Sequence, residues 1–137
     1  MEGRKGFITE KQAAELAYIT IQEGWIKSNL TEDGYPEEMV ARFYRYLITH
    51  LEIWEAFEGF AKQAISVGRK HYGSMGIINR IRWHTDIERN EGEFKVNHDF
   101  TPMFARLFMM KYPEHEGFFR TAAVGCGRKI RSDSYFY

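Results

Sequence analysis

Apolar residues recur every three to four positions through most of the first ninety residues, the spacing of one helix face and not the alternation of a strand. Thr9 opens the first such segment, and Gln12 three residues on completes a capping signature. Ala14, Ala17, Tyr18, Ile21 and Trp25 then form its apolar stripe. Gly24 weakens the end, and a stop is expected near Ser28-Asn29 before the turn dipeptide Asp33-Gly34. Pro36 suits the first position of the next helix, with Glu37 and Glu38 at its positive end. Val40, Phe43, Tyr44, Leu47, Leu51, Trp54, Phe57, Ala61, Ala64 and Ile65 hold the period to Gly68. That run is longer than an ordinary helix, so two helices broken near Thr49-His50 are predicted.

A basic connector, Gly68 to Gly73, leads to a helix capped by Ser74 and running to about Glu88. Gly73 suits a C-cap role. Ile77, Ile81 and Ile87 are assigned to the buried side of this helix, with His84 between them; Asn79, Arg82, Asp86 and Arg89 fall opposite. Glu91-Gly92 marks a turn, and Phe94-Lys95-Val96 suggests a minor β element. Thr101-Pro102 starts another helix. From Met103 to Tyr112 only Arg106 and Lys111 are strongly polar. A helix apolar nearly all round is either central to the core or covered by another molecule. Pro113 ends it, a short helical piece leads to Phe118-Phe119, and the segment 121–137 has no clear period. The pattern predicts an all-α fold: one compact domain over 1–137, a bundle of about five helices with an irregular tail from 120, and no internal repeat.

Composition changes this picture little and charge changes it more. The 137 residues carry 19 bases and 19 acids. Residues 1–60 nevertheless hold eleven acids against six bases, whereas 61–90 hold six bases against two acids. A basic segment attracts phosphate or an acidic protein surface; the opposing reading is that the two regions complement each other inside the fold. No apolar run approaches a membrane span and no signal peptide is visible, so a cytoplasmic protein without a membrane is expected. Cys126, the one cysteine, allows no intrachain disulfide and is read as a free thiol.

The candidate chemistry is that of binding. Arg69, Lys70, Arg80, Arg82 and Arg89, with Trp83 among them, are candidates for nucleic-acid contact. Asn97 and His98, at the mouth of the next helix, and Arg106 within it extend the set. A helix-turn-helix over 74–112 is disfavoured, because about eleven residues separate its helices where roughly three or four are needed. His84 and Glu88 have ligand spacing, and His98 or His115 would complete a metal site; the apolar stripe argues instead for a core histidine. No HExxH, paired-cysteine, GxSxG or phosphate-loop motif occurs, so neither a cofactor nor an enzymatic activity is expected. Phe108 and Met109, on the apolar helix, are the candidates for a partner interface or homodimer.

The motif Ile77-x-x-Arg80-Ile81-Arg82-Trp83 is followed by Phe94-Lys95-Val96-Asn97. Thr101, Ala105, Arg106, Leu107, Pro113, Gly117 and Phe119 continue the pattern. Together they resemble a group of small proteins common in phages, prophages and other mobile elements, over roughly residues 50–120. The resemblance implies a setting inside a bacterial host cell and carries no activity. It favours small binders: a nucleic-acid-binding protein first, and second an inhibitor of a host defence complex of the anti-CRISPR kind. The inhibitor would mimic DNA with Glu37, Glu38, Glu52, Glu55 and Glu58, or anchor itself through Phe108 and Met109.

Overall fold

The computed structural model describes residues 8–88 and 95–121. Six α-helices account for most of them: α1 Glu10–Ile21, α2 Glu23–Glu32, α3 Glu37–Thr49, α4 Leu51–Ser66, α5 Ser74–Trp83 and α6 Thr101–Lys111. One π turn, His84–Glu88, continues α5. Short 3-10 turns, His98–Phe100 and Pro113–His115, flank α6. The fold is all-α, as the pattern predicts. An isolated bridge between Tyr72 and Phe119 is the one piece of β pairing among the described residues. Lys95 and Val96 are in no strand, and Phe94 lies outside the described residues.

α6 is the hub. It packs against α2, α4 and α5, and its Met103, Phe104, Ala105, Leu107 and Phe108 are buried. Its near-uniform apolarity therefore reflects a central place in the core. Phe104 stacks with Trp54 (6.1 Å) and Phe57 (5.5 Å) and meets Phe43 edge-on at 5.1 Å. Phe57 and Phe108 in turn pack on Phe119. Burial of each such ring stabilises by about 1.5–3 kcal/mol, so this aromatic stack contributes heavily to holding α3, α4 and α6 together.

Several boundaries fall where the sequence points. The Thr9–Gln12 capping box forms, with Gln12 N–H donating to Thr9 Oγ1 at 3.0 Å. The α3–α4 break falls at His50, whose φ of −132° is non-helical. Gly68 (φ +95°) ends α4, and Gly34 (φ +113°) makes the turn after α2, both in the left-handed region that glycine tolerates; α2 itself runs to Glu32, past the stop expected near Ser28-Asn29. At Gly68, Arg69 N–H reaches Ala64 O (3.1 Å) and Gly68 N–H reaches Ile65 O (2.9 Å), the paired bonds of a Schellman cap. Gly73, expected to end a helix, instead precedes α5 as its N-cap, with Ser74 inside the helix.

Two stripes differ from expectation. The first helix breaks at Gln22, and the inward face comprises Ile19, Ile26 and Leu30; Ala14, Ala17, Ile21 and Trp25 face solvent. The true face also includes Glu15, whose charge hides it from a hydrophobic reading. On α5, Ile77 and Ile81 are buried with Ile78, but Ile87 is 57% exposed. The π turn is the cause: its wider winding rotates residues 84–88 off the 3.6-residue stripe.

Candidate nucleic-acid interface

The Schellman cap at Gly68 turns the chain sharply and leaves Arg69 and Lys70 exposed. The connector is then tied to the segment after α6: Tyr72 N–H donates to Phe118 O at 3.1 Å, and His71 Nδ1 lies 3.1 Å from Gly117 O. Tyr72 leans on the first turn of α5, where Gly76 makes room. A Cβ at Gly76 would sit 2.9 Å from Tyr72 Cε2. The result is a groove of about 360 Å³ lined by Phe60, Gln63, Val67, Arg69, Tyr72 and Arg80 over a floor that includes Ala64 and Ile77. Tyr72 keeps 41% of its surface exposed. The Arg80 guanidinium lies 4.7 Å from the Phe60 ring centre, a cation–π contact.

Arg80 also meets Glu88 at 3.4 Å across the π turn, and His84 Nδ1 lies 2.9 Å from the same carboxylate oxygen. The His84 bond, with a contribution from Arg80, holds the Glu88 carboxyl below the usual range. His84 is half-exposed, with its ring edge-on to Phe60 at 6.1 Å, so it belongs to the rim of the core. Trp83, one turn beyond Asn79 and Arg80, is 55% exposed.

Two residues beyond Arg80 along the helix lies Arg82, about 200° around the axis. It opens into a second groove, of about 530 Å³, with Tyr46, Lys95, Val96, Asn97, His98 and Phe100. Asn97 caps the 3-10 turn by accepting Asp99 N–H at 2.8 Å. Tyr46 stacks on His50 at 4.0 Å and donates to Lys95 O, and burial pushes its hydroxyl up to about 12. The fold thus divides the basic candidates: Arg69, Lys70 and Arg80 on one side of α5, and Arg82, Asn97 and His98 on the other. Arg89 lies outside the described residues, as does Cys126.

The remaining candidates are placed away from both grooves. Arg106 pairs with Asp33 (3.2 Å) and donates to the Tyr35 hydroxyl; its side chain is only 13% exposed, and it pins α6 to the α2–α3 turn. Phe108 is wholly buried, which removes it from any partner surface. Met109 is half-buried, and its sulfur accepts Gly117 N–H. The acidic series is scattered as well: Glu55 bonds Gln12 and Lys11, Glu58 is buried, and Glu37, Glu38 and Glu52 are exposed. A metal trio does not assemble, since His98 lines the second groove; among the described residues no group of three His, Cys, Asp or Glu could hold an ion. A larger hollow between α2 and α3, about 660 Å³, sets Glu32 and Glu37 beside Lys27 and so offers no net pull on phosphate.

One polar cluster matches no set of candidates that the sequence offers. Lys111 Nζ lies 2.7 Å from both Glu15 Oε2 and Glu58 Oε2. Trp54 Nε1 donates to Glu15 at 2.8 Å, and the Tyr112 hydroxyl donates to Glu58 at 2.7 Å. Burial by itself would raise Glu15, but the bonds from Lys111 and Trp54 bring it below the usual carboxylate range. Burial prevails at Glu58, which is raised. Burial opposes the charge on Lys111, yet its two carboxylate partners hold it above the usual lysine range. Each of the five side chains bonds at least one other member, and the members come from α1, α4 and α6 and the residue after α6. The arrangement is a cross-brace of the bundle. The signal that could have revealed it is Glu15 and Glu58 standing at helix positions otherwise facing inward.

No family model, curated protein or solved structure matches this chain. Among the described residues, no helix is long and apolar enough to cross a membrane.

Proposed function

We propose that the protein is a non-enzymatic nucleic-acid-binding module whose contact surface is built around α5. What supports the reading is one observation above the others: Arg69 and Tyr72 from the α4–α5 connector and Arg80 from α5 converge on one groove. Lys70 stands beside it. Exposed aromatics among exposed cations are the combination by which proteins hold bases and phosphates together. The Arg80–Glu88 pair is solvent-exposed and worth little, so the guanidinium is readily turned to a phosphate. Arg82, Asn97 and His98 in the second groove extend the contact for a strand crossing α5. With the resemblance to phage and mobile-element proteins, this reading sets the protein to work in the cytoplasm of a bacterial host.

The test is fluorescence anisotropy with labelled random duplex and single strands over a salt series. Three phosphate contacts, from Arg69, Lys70 and Arg80, give a log–log slope of about −2 for a single strand, or a roughly 20-fold loss of affinity between about 50 and 200 mM salt. Binding that ignores salt, or no binding, would overturn the assignment. An anti-defence inhibitor acting through a protein partner is the second reading, and exposed Ile21 and Trp25 on the α1–α2 face are what favours it. The scattering of the acidic series weighs against DNA mimicry.

A further inference from the structure

We infer that the groove between the end of α4 and the start of α5 takes an unpaired base, so that the protein prefers single-stranded nucleic acid to duplex. The inference rests on the nucleic-acid reading above and adds the form of the ligand. It begins with Tyr72. An exposed tyrosine on a loose loop is a poor platform, but this one is fixed at both levels. Its backbone is bridged to Phe118 and Phe119, and its ring fits against α5 at the one place where the helix has no side chain. Any residue other than glycine at position 76 would drive the ring away, since even a methyl group would meet it at 2.9 Å.

The surroundings complete a base site. Ala64 and Ile77 form an apolar floor, Phe60 with the Arg80 guanidinium above it forms one wall, and Tyr72 with Arg69 forms another. Gln63 supplies an amide able both to donate to and accept from a base edge. The volume, about 360 Å³, lies at the small end of ligand clefts, within roughly 300–1,000 Å³. In a duplex the base faces are stacked on one another and closed to side chains, whereas a single strand can present one to an aromatic ring. The cations bring the strand to the surface; the aromatic groove selects its unpaired form.

The experiment compares a labelled oligothymidylate of about 12 nucleotides, a length within single-strand site sizes, with a duplex of the same length. The proteins are wild type, Tyr72→Ala, Tyr72→Phe, Gly76→Ala and Arg69→Ala/Lys70→Ala. The inference predicts tighter binding of the single strand by wild type. Tyr72→Ala and Gly76→Ala should each weaken that binding roughly 10-fold or more while sparing the duplex, and Tyr72→Phe should behave as wild type. Arg69→Ala/Lys70→Ala should weaken both ligands and flatten the salt slope. Because Tyr72 is tied down through its backbone, and Gly76→Ala removes no packed group, at least one of the two variants stays folded, as circular dichroism would verify. Equal, salt-sensitive binding of both ligands, indifferent to position 72, would overturn the single-strand inference and leave the nucleic-acid reading standing. Failure of wild type to bind either ligand would overturn the nucleic-acid reading and the inference with it.

Discussion

Replacing Lys111 by methionine tests the cross-brace that joins α1, α4 and α6. Methionine keeps the unbranched apolar stem, one atom shorter, but removes the cation between Glu15 and Glu58. The side chains of Lys111, Glu15 and Glu58 are 16%, 11% and 7% exposed, so water can rescue the stranded carboxylates only in part. Removing one partner of a buried ion pair costs about 3–5 kcal/mol. The residual exposure argues for the lower end, about 3 kcal/mol, out of a total stability of about 5–15 kcal/mol for a domain of this kind. Interpolating between small and mid-sized domains, the melting temperature should fall by roughly 10–15 °C.

The assay is urea unfolding followed by tryptophan fluorescence, with Trp54 beside Glu15 as a local reporter. Its pH dependence is the sharper part. In the variant both carboxylates lose the Lys111 bonds that offset burial and keep only those from Trp54 and Tyr112, so both folded pKa values move upward, Glu58 from an already raised position. The stability associated with a raised pKa is present at low pH and lost as pH increases. The deficit of Lys111→Met should therefore shrink between about pH 7 and pH 4. Adding Glu15→Gln and Glu58→Gln to Lys111→Met should recover most of the loss at neutral pH, because the penalty belongs to the orphaned charges. A deficit under about 1 kcal/mol at neutral pH, or one indifferent to pH, would refute the reasoning.

Four further outcomes are expected. Thr101 Oγ1 is the one buried side-chain polar atom without a partner among the described residues, so Thr101→Val should be neutral or should stabilise by about 1 kcal/mol in thermal melts. Gly68→Ala forces a side chain onto φ +95° and should cost about 1–2 kcal/mol, while loosening Arg69 at the groove. Tyr46→Phe removes the bond to Lys95 O, and amide exchange should show faster opening around 95–97 at a cost of about 0.5–1.5 kcal/mol. In the intact protein, the lowered Glu15 adds stability above pH 4.5 that is lost as pH falls through its folded value; the raised Glu58 adds stability below 4.5 that is lost as pH rises through its own. The stability difference from Glu15→Gln/Glu58→Gln should accordingly peak near pH 4.5, and a difference rising steadily to pH 8 would contradict the assignment of the two directions.

The helices were legible where their signals are local. Thr9 with Gln12, the glycine after Asp33, and the long apolar period through Val40–Ile65 each specify structure over a few residues, and each appears in the fold. Misreadings came where distant residues decide. Glu15 stands at an inward-facing helix position, but the partner that makes its charge tolerable there, Lys111, lies 96 residues away and beyond the reach of local rules. Ile87 faces solvent because five residues wind as a π turn, which shifts the face without any change in composition. Much the same holds for the candidate site. Arg69, Lys70, Arg80, Arg82, Asn97 and His98 were visible as polar or basic positions, but their division across α5 follows from the tertiary arrangement. Tyr72 and Gly76 give no signal in the sequence, since an isolated tyrosine and a helical glycine carry meaning only where the ring rests against the helix backbone. Arg106 and Phe108 looked available on the helix and are occupied in the core.

The most direct test of the central claim is to map amide chemical-shift changes when unlabelled oligothymidylate is added to the isotope-labelled protein. The account predicts changes concentrated from Gln63 to Trp83, strongest around Arg69, Tyr72 and Gly76, with weaker effects near Asn97 and His98. Changes centred on Ile21 and Trp25, or none at saturating oligonucleotide, would contradict it.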